Sequence, residues 1–109
     1  MGKKILLSEK IFVAGGSGMV GSSICRSLIK NGYGSTNGGK ILKPTRKDLD
    51  LLDTNKVREW FKINKPTVVI IAAAKVGGIL GNSIYPTQFL LDNLKIQINL
   101  IENSWKTGV

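Results

Sequence analysis

Gly15, Gly16, Gly18 and Gly21 crowd the stretch IFVAGGSGMVGSSI, residues 11–24. Gly16, Gly18 and Gly21 satisfy G-x-G-x-x-G, and Gly15, Gly18 and Gly21 satisfy G-x-x-G-x-x-G. The chemistry open to such a run is anion binding by the main chain. Early glycines permit a tight turn, the middle one lets the backbone approach a phosphate, and the last lets a helix lie close on its strand. Phosphate oxygens then meet free amides and the positive end of the helix dipole. A Walker loop is excluded, because Ser22 stands where it needs lysine.

The run follows an apolar segment and opens a helical one inside a strand–helix–strand unit. In that setting it predicts dinucleotide binding. Sites that prefer NAD usually carry an acidic residue on the ribose about 20 residues beyond the turn. Here no Asp or Glu occurs between Lys10 and Lys47, and the end of the second apolar segment carries Lys43, Arg46 and Lys47. A guanidinium can grip a ribose 2′-phosphate through two parallel hydrogen bonds. NADP(H) is therefore the expected cofactor. The competing reading makes these three residues surface charges beside a pocket that is empty or holds NAD.

Other reactive side chains are few. The chain has no histidine and one cysteine, Cys25, which rules out an internal disulfide and points to a reducing compartment. Its position on a helix reads as that of a small core residue rather than a nucleophile.

The elements that must position the glycine run alternate between strand and helix. Lys10–Ala14 reads as a first strand, and residues 18–30 as a helix with Val20, Ile24 and Leu28 on one face and Asn31-Gly32 as its stop. NGYGSTNGG, residues 31–39, reads as a flexible loop. KILKP is a second strand ended by Pro44, and DLDLLD, residues 48–53, holds a very short third. Thr54 can cap a helix in which Val57, Trp60 and Phe61 share a face, with Pro66 just past its end. TVVIIAAA, residues 67–74, is apolar throughout, as a strand covered on both faces would be. A long helix from about Pro86 to Lys106 carries Leu90, Leu94, Ile98, Ile101 and Trp105 along one side. The pattern predicts a single α/β domain: a doubly wound parallel sheet of about four strands in the order 3-2-1-4, with ligands at the carboxyl ends of the strands.

Composition bounds the rest. Apolar residues make up 42% of the chain and charged residues 21%, ordinary globular values, in a length of 109 residues that suits one core. The formal charge of +9 raises the question of nucleic acid. The basic residues are scattered, paired only at Lys3-Lys4 and Arg46-Lys47, and not interleaved with aromatics, which describes a solvated surface instead. No apolar run is long enough for a membrane span or a signal peptide, so neither nucleic acid nor membrane is expected as a partner and the expected location is cytoplasmic.

Three stretches together, FVAGGSGMVGSSI, TRKDLDLLD and above all AAAKVGGILGNSIYPTQFLLDN, closely resemble the GDP-L-fucose synthases, a family of extended short-chain dehydrogenase/reductases. That family uses NADPH to epimerise and reduce GDP-4-keto-6-deoxy-mannose. The resemblance runs from about Ile11 to the last residue. It implies that Gly15, Gly16, Ser17, Gly18, Met19, Val20 and Gly21 wrap the pyrophosphate. It implies too that Arg46 meets the 2′-phosphate and that Asp50 and Leu51 lie against the adenine. Ala72, Ala73 and Ala74 would pass beside the cofactor ribose, and Lys75 to Gly78 would start the loop towards the substrate side. Some family members carry a basic residue at the position of Ser17, so its absence leaves more of the 2′-phosphate to Arg46.

The family's chemistry uses a Ser, a Tyr-x-x-x-Lys pair, a Cys and a His. Here Tyr33 and Tyr85 are followed four positions on by Asn37 and Phe89, and Cys25 lies outside the family's catalytic region. The resemblance thus implies the first third of the enzyme, the N-terminal part of its NADP-binding Rossmann domain, with no substrate domain and no catalytic residues. It would be active only if a second chain supplied the missing strands and groups, with the GDP-sugar bound only in the complete enzyme. The missing neighbour of strand 67–74 would leave an apolar edge and a marginal or partner-dependent fold. The alternatives are a stand-alone dinucleotide-binding module without chemistry, and a basic nucleic-acid binder on the same fold.

Overall fold

A computed structural model of the chain describes residues 5–72 and 86–109, the span 86–90 by its backbone alone. The elements are β1 (Lys10–Ala14), α1 (Met19–Lys30), β2 (Lys40–Leu42), α2 (Thr54–Asn64), β3 (Val68–Ile71) and α3 (Pro86–Lys106). The strands form one sheet in the order β2-β1-β3, and both pairings are parallel. Ile11 stands opposite Ile41 on one side and Val68 on the other.

The central place of β1 explains its composition. Ile11, Phe12 and Val13 are fully buried, and alternate residues serve opposite faces of the sheet. Phe12 and Ala14 pack with Leu49, Val57 and Phe61 and with Ile96 and Leu100 of α3. Ile11 and Val13 pack on the other face with Cys25, Ile24, Leu28 and Tyr33. The sheet is thus covered by α1 on one side and by α2 and α3 on the other. Trp60 closes the α2 side, its ring centroid 4.3 Å from that of Phe12.

Several expectations are corrected. Residues 48–53 form turns rather than a third strand, so the sheet keeps only the 2-1-4 part of the expected order, β3 being the fourth segment. The aspartates are the reason: Asp48 accepts hydrogen bonds from the Thr45 amide and hydroxyl, and Asp50 accepts from the Leu52 amide. Such local bonds compete with a strand ladder. Asp53, not Thr54, caps α2, its carboxylate accepting from the Lys56 amide at 3.1 Å. The buried face of α1 centres on Gly21 and Cys25, while Val20 is 63% exposed.

On α3 the expected apolar face is the outer one: Leu94, Ile98, Ile101 and Trp105 are exposed, whereas Ile96, Asn99, Leu100 and Asn103 are buried. The Leu90 side chain lies outside the described residues. β3 packs on both faces, Val69 on the α2 and α3 side and Val68 and Ile70 on the α1 side, but its coverage is partial. Its first three residues are half-buried and Ile71 is 40% exposed, and among the described residues it pairs with β1 alone. Residues 31–39 form a loop of turns, as expected, with a few anchors: Tyr33 donates its amide to the Leu28 carbonyl and its hydroxyl to the Ile5 carbonyl, and Gly39 donates to the Thr36 carbonyl.

Candidate functional site

At the carboxyl end of β1 the chain reverses through the glycine run. The Gly16 amide donates to the Val13 carbonyl and the Gly18 amide to the Gly15 carbonyl, each at 3.1 Å. Gly15 takes φ +83°, the left-handed region that a side chain disfavours. Gly21 is required by proximity, since a β-carbon there would stand 1.9 Å from the Gly15 carbonyl oxygen. This contact sets the first turn of α1 directly on the reversal. Ser22 ties the two together, its amide donating to Gly18 and its hydroxyl to Gly16.

Gly18 is the N-cap of α1, with no side-chain hydrogen bond at the cap and no acidic residue in the first turn. Among the described residues the amides of Met19 and Val20 have no acceptor. This leaves main-chain donors and the positive end of the helix for an anion.

Beside this turn lies a cleft of about 390 Å³, with Gly15, Ser17 and Gly18 on one side and Pro44, Arg46, Leu49, Asp50, Leu51 and Leu52 on another. Phe12, Ala14, Ala72 and Ile96 complete it. The loop after β2 is held in shape by the Thr45–Asp48 and Asp50–Leu52 bonds. The cleft therefore joins free amides, one guanidinium, the Asp50 carboxylate and an apolar wall. An anionic group suits the first two, and a flat ring suits the wall.

Of the site residues expected from the sequence, Gly15, Ser17, Gly18, Arg46, Asp50, Leu51 and Ala72 line this one cleft. Gly16 and Gly21 are buried behind it. Met19 and Val20 are exposed on the first turn of α1 and do not line it. Ala73 and Ala74, with Lys75 to Gly78, lie outside the described residues. Lys43 and Lys47 are absent from the lining, which leaves Arg46 as its cation among the described residues.

Sequence reasoning missed Leu49, Leu52 and Ile96. The first two sit in the supposed third strand, and the third on the helix face taken to be the outer one. Tyr33 is engaged with Ile5 beside the α1 layer, and Cys25 is buried in the core of that layer. No cluster of metal-binding side chains occurs among the described residues, and no helix among them is long and apolar enough to cross a membrane.

The family model described as NAD dependent epimerase/dehydratase family matches residues 11–109. The chain belongs to that family. It is 46% identical over 102 residues to GDP-L-fucose synthase 1 of Arabidopsis thaliana, an alignment covering 94% of this chain and 30% of that protein. Among solved structures it is similar to MlghC, a GDP-mannoheptose C4 reductase from Campylobacter jejuni with NADP bound, at TM-score 0.86 and 32% identity over 97% of this chain and 32% of that one. It is also similar to a GDP-L-fucose synthetase from Naegleria fowleri bound to NADP, at TM-score 0.80 and 30% identity over 98% of this chain and 31% of that one. This member of the epimerase/dehydratase family spans about 30% of the length of the curated relatives it matches.

Proposed function

We propose that residues 1–109 are the N-terminal, NADP(H)-binding part of a cytoplasmic enzyme of the GDP-L-fucose synthase type, an oxidoreductase and isomerase acting on a nucleotide sugar. One observation carries this reading: Arg46 lines the same cleft as the glycine turn, with no acidic residue on the chain between Lys10 and Lys47. The residues fit the cofactor. The close contact of Gly21 with Gly15 sets the first turn of α1 directly on the reversal, so the pyrophosphate would rest on the amides there.

Arg46 would hold the 2′-phosphate by charge-assisted hydrogen bonds, and Leu49, Leu51, Leu52 and Ile96 would wall the adenine. When bound, the cofactor supplies the hydride for reduction at a sugar carbon. The chain's own part is to bind and orient it. The groups that move protons, and the GDP-sugar site, belong to the remainder of the enzyme, supplied by further sequence or by a second chain.

The experiment is to add NADPH to the isotopically labelled chain and follow the amide resonances. Saturable shifts at Gly15, Gly18, Met19 and Val20 support the reading. A folded chain whose glycine-turn amides do not move up to millimolar NADPH contradicts it.

A further inference from the structure

Asn99 is a buried polar residue in the middle of α3, and its side chain leaves its own helix. Its amide nitrogen donates to the Leu51 carbonyl at 2.8 Å, and its amide oxygen accepts from the Thr54 hydroxyl at 3.1 Å. The orientation is fixed by chemistry, since a carbonyl can only accept and the group facing Leu51 must be the NH₂. One side chain therefore clasps both ends of the segment between the cleft wall and α2. Asn103, one turn on, donates to the Asn99 carbonyl at 2.7 Å and steadies the helix beneath it.

Leu51 and Leu52 of the clasped segment pack against the core, but among the described residues no other hydrogen bond ties its Leu51–Leu52 backbone to a distant element. The Leu52 amide bonds only to the Asp50 side chain, the Asp53 amide bonds to the Asp50 carbonyl, and Asp50 itself is exposed. Leu51 and Leu52 line the cleft next to Arg46. A shift of this wall would change the slot in which a flat base lies beside the cation.

We propose that Asn99 is a positioning residue for the nucleotide, setting from α3 the place of the Leu51 wall and with it the affinity for the base-and-ribose end of the cofactor. The proposal rests on the dinucleotide reading above. It adds that affinity at this end depends on a residue that does not line the cleft.

The test is Asn99→Asp, with binding of adenosine 2′,5′-bisphosphate followed by calorimetry from pH 5 to 9. An ionised carboxylate cannot donate to Leu51 and faces its carbonyl oxygen, whereas a protonated one donates as the amide does. The variant is expected to bind about three- to tenfold more weakly than the native chain at high pH, the loss expected for one hydrogen bond. The ratio should return towards one at low pH. Hydrogen exchange at the Leu52 and Asp53 amides should rise with the same pH dependence, while exchange in β1 stays unchanged.

A ratio of one at every pH overturns the proposal, and so does a uniform loss at every pH. Should Asn99→Asp not fold, Thr54→Val removes only the hydroxyl bonded to Asn99. It must then weaken bisphosphate binding and speed exchange at Leu52 for the proposal to stand. If the native chain binds no bisphosphate, the nucleotide reading fails instead, and unchanged exchange in the variants separately refutes the clasp.

Discussion

Gly21 lies so close to Gly15 that no β-carbon fits between them, the Gly15 carbonyl standing where that atom would have to go. The contact fuses strand end, reversal and helix start into one unit and aims the start of α1 at the cleft. Gly21→Ala therefore strikes backbone rather than a movable side chain. It should destabilise the chain by about 3 kcal/mol or more. Gly18→Ala should cost much less, because its β-carbon would come no nearer than 3.4 Å to another atom. Urea unfolding of the two variants checks the contrast, and equal losses would refute it.

Asp53→Ala should cost about 1 kcal/mol through loss of the α2 cap. Thr54→Ser leaves that cap intact, keeps the hydroxyl bonded to Asn99, and should cost less. The same denaturation series decides between the two residues.

Lys65 ends α2 at φ +47°, a left-handed conformation that only glycine adopts without strain, and donates its amide to Phe61. Lys65→Gly should raise stability by about 0.5–1 kcal/mol, the relief at the cap exceeding the added freedom of the unfolded chain. An unchanged or lower midpoint would contradict this.

Phe12 forms the floor of the cleft and touches both Trp60 and Phe61, with ring centroids 4.3 and 5.6 Å away. Phe12→Ala should cost about 3–5 kcal/mol by opening a cavity in the core beneath the cleft. Thermal shift reads the loss.

Much of this architecture was legible because local and global preferences agree. Ile11, Phe12 and Val13 are apolar on both faces because β1 is central, and the glycine turn is marked by the one residue type that its contacts admit. Legibility failed where polar and apolar roles are exchanged. α3 buries Asn99 and Asn103 and exposes Ile98 and Trp105, so apolar spacing points to the wrong face. The buried asparagines are satisfied by Leu51, Thr54 and the helix carbonyls, partners remote in sequence or hidden in the helix pattern. In residues 48–53 the leucines suggest a strand, but the aspartate side chains bond the neighbouring backbone and turn the chain. That same turn carries Leu49 and Leu52 into the cleft, which is why the site proved wider than the sequence implied.

In the proposed function, Arg46 makes this cleft a site for a phosphorylated dinucleotide. The decisive measurement is the affinity of the native chain and of Arg46→Ala for NADPH and NADH, followed by cofactor fluorescence at fixed ionic strength. The native chain should prefer NADPH. Arg46→Ala should lose about ten- to a hundredfold of NADPH affinity while NADH binding changes little, the loss expected for a charge-assisted pair. Equal binding of the two cofactors by the native chain, or an Arg46→Ala variant that keeps the preference, would contradict that role of Arg46.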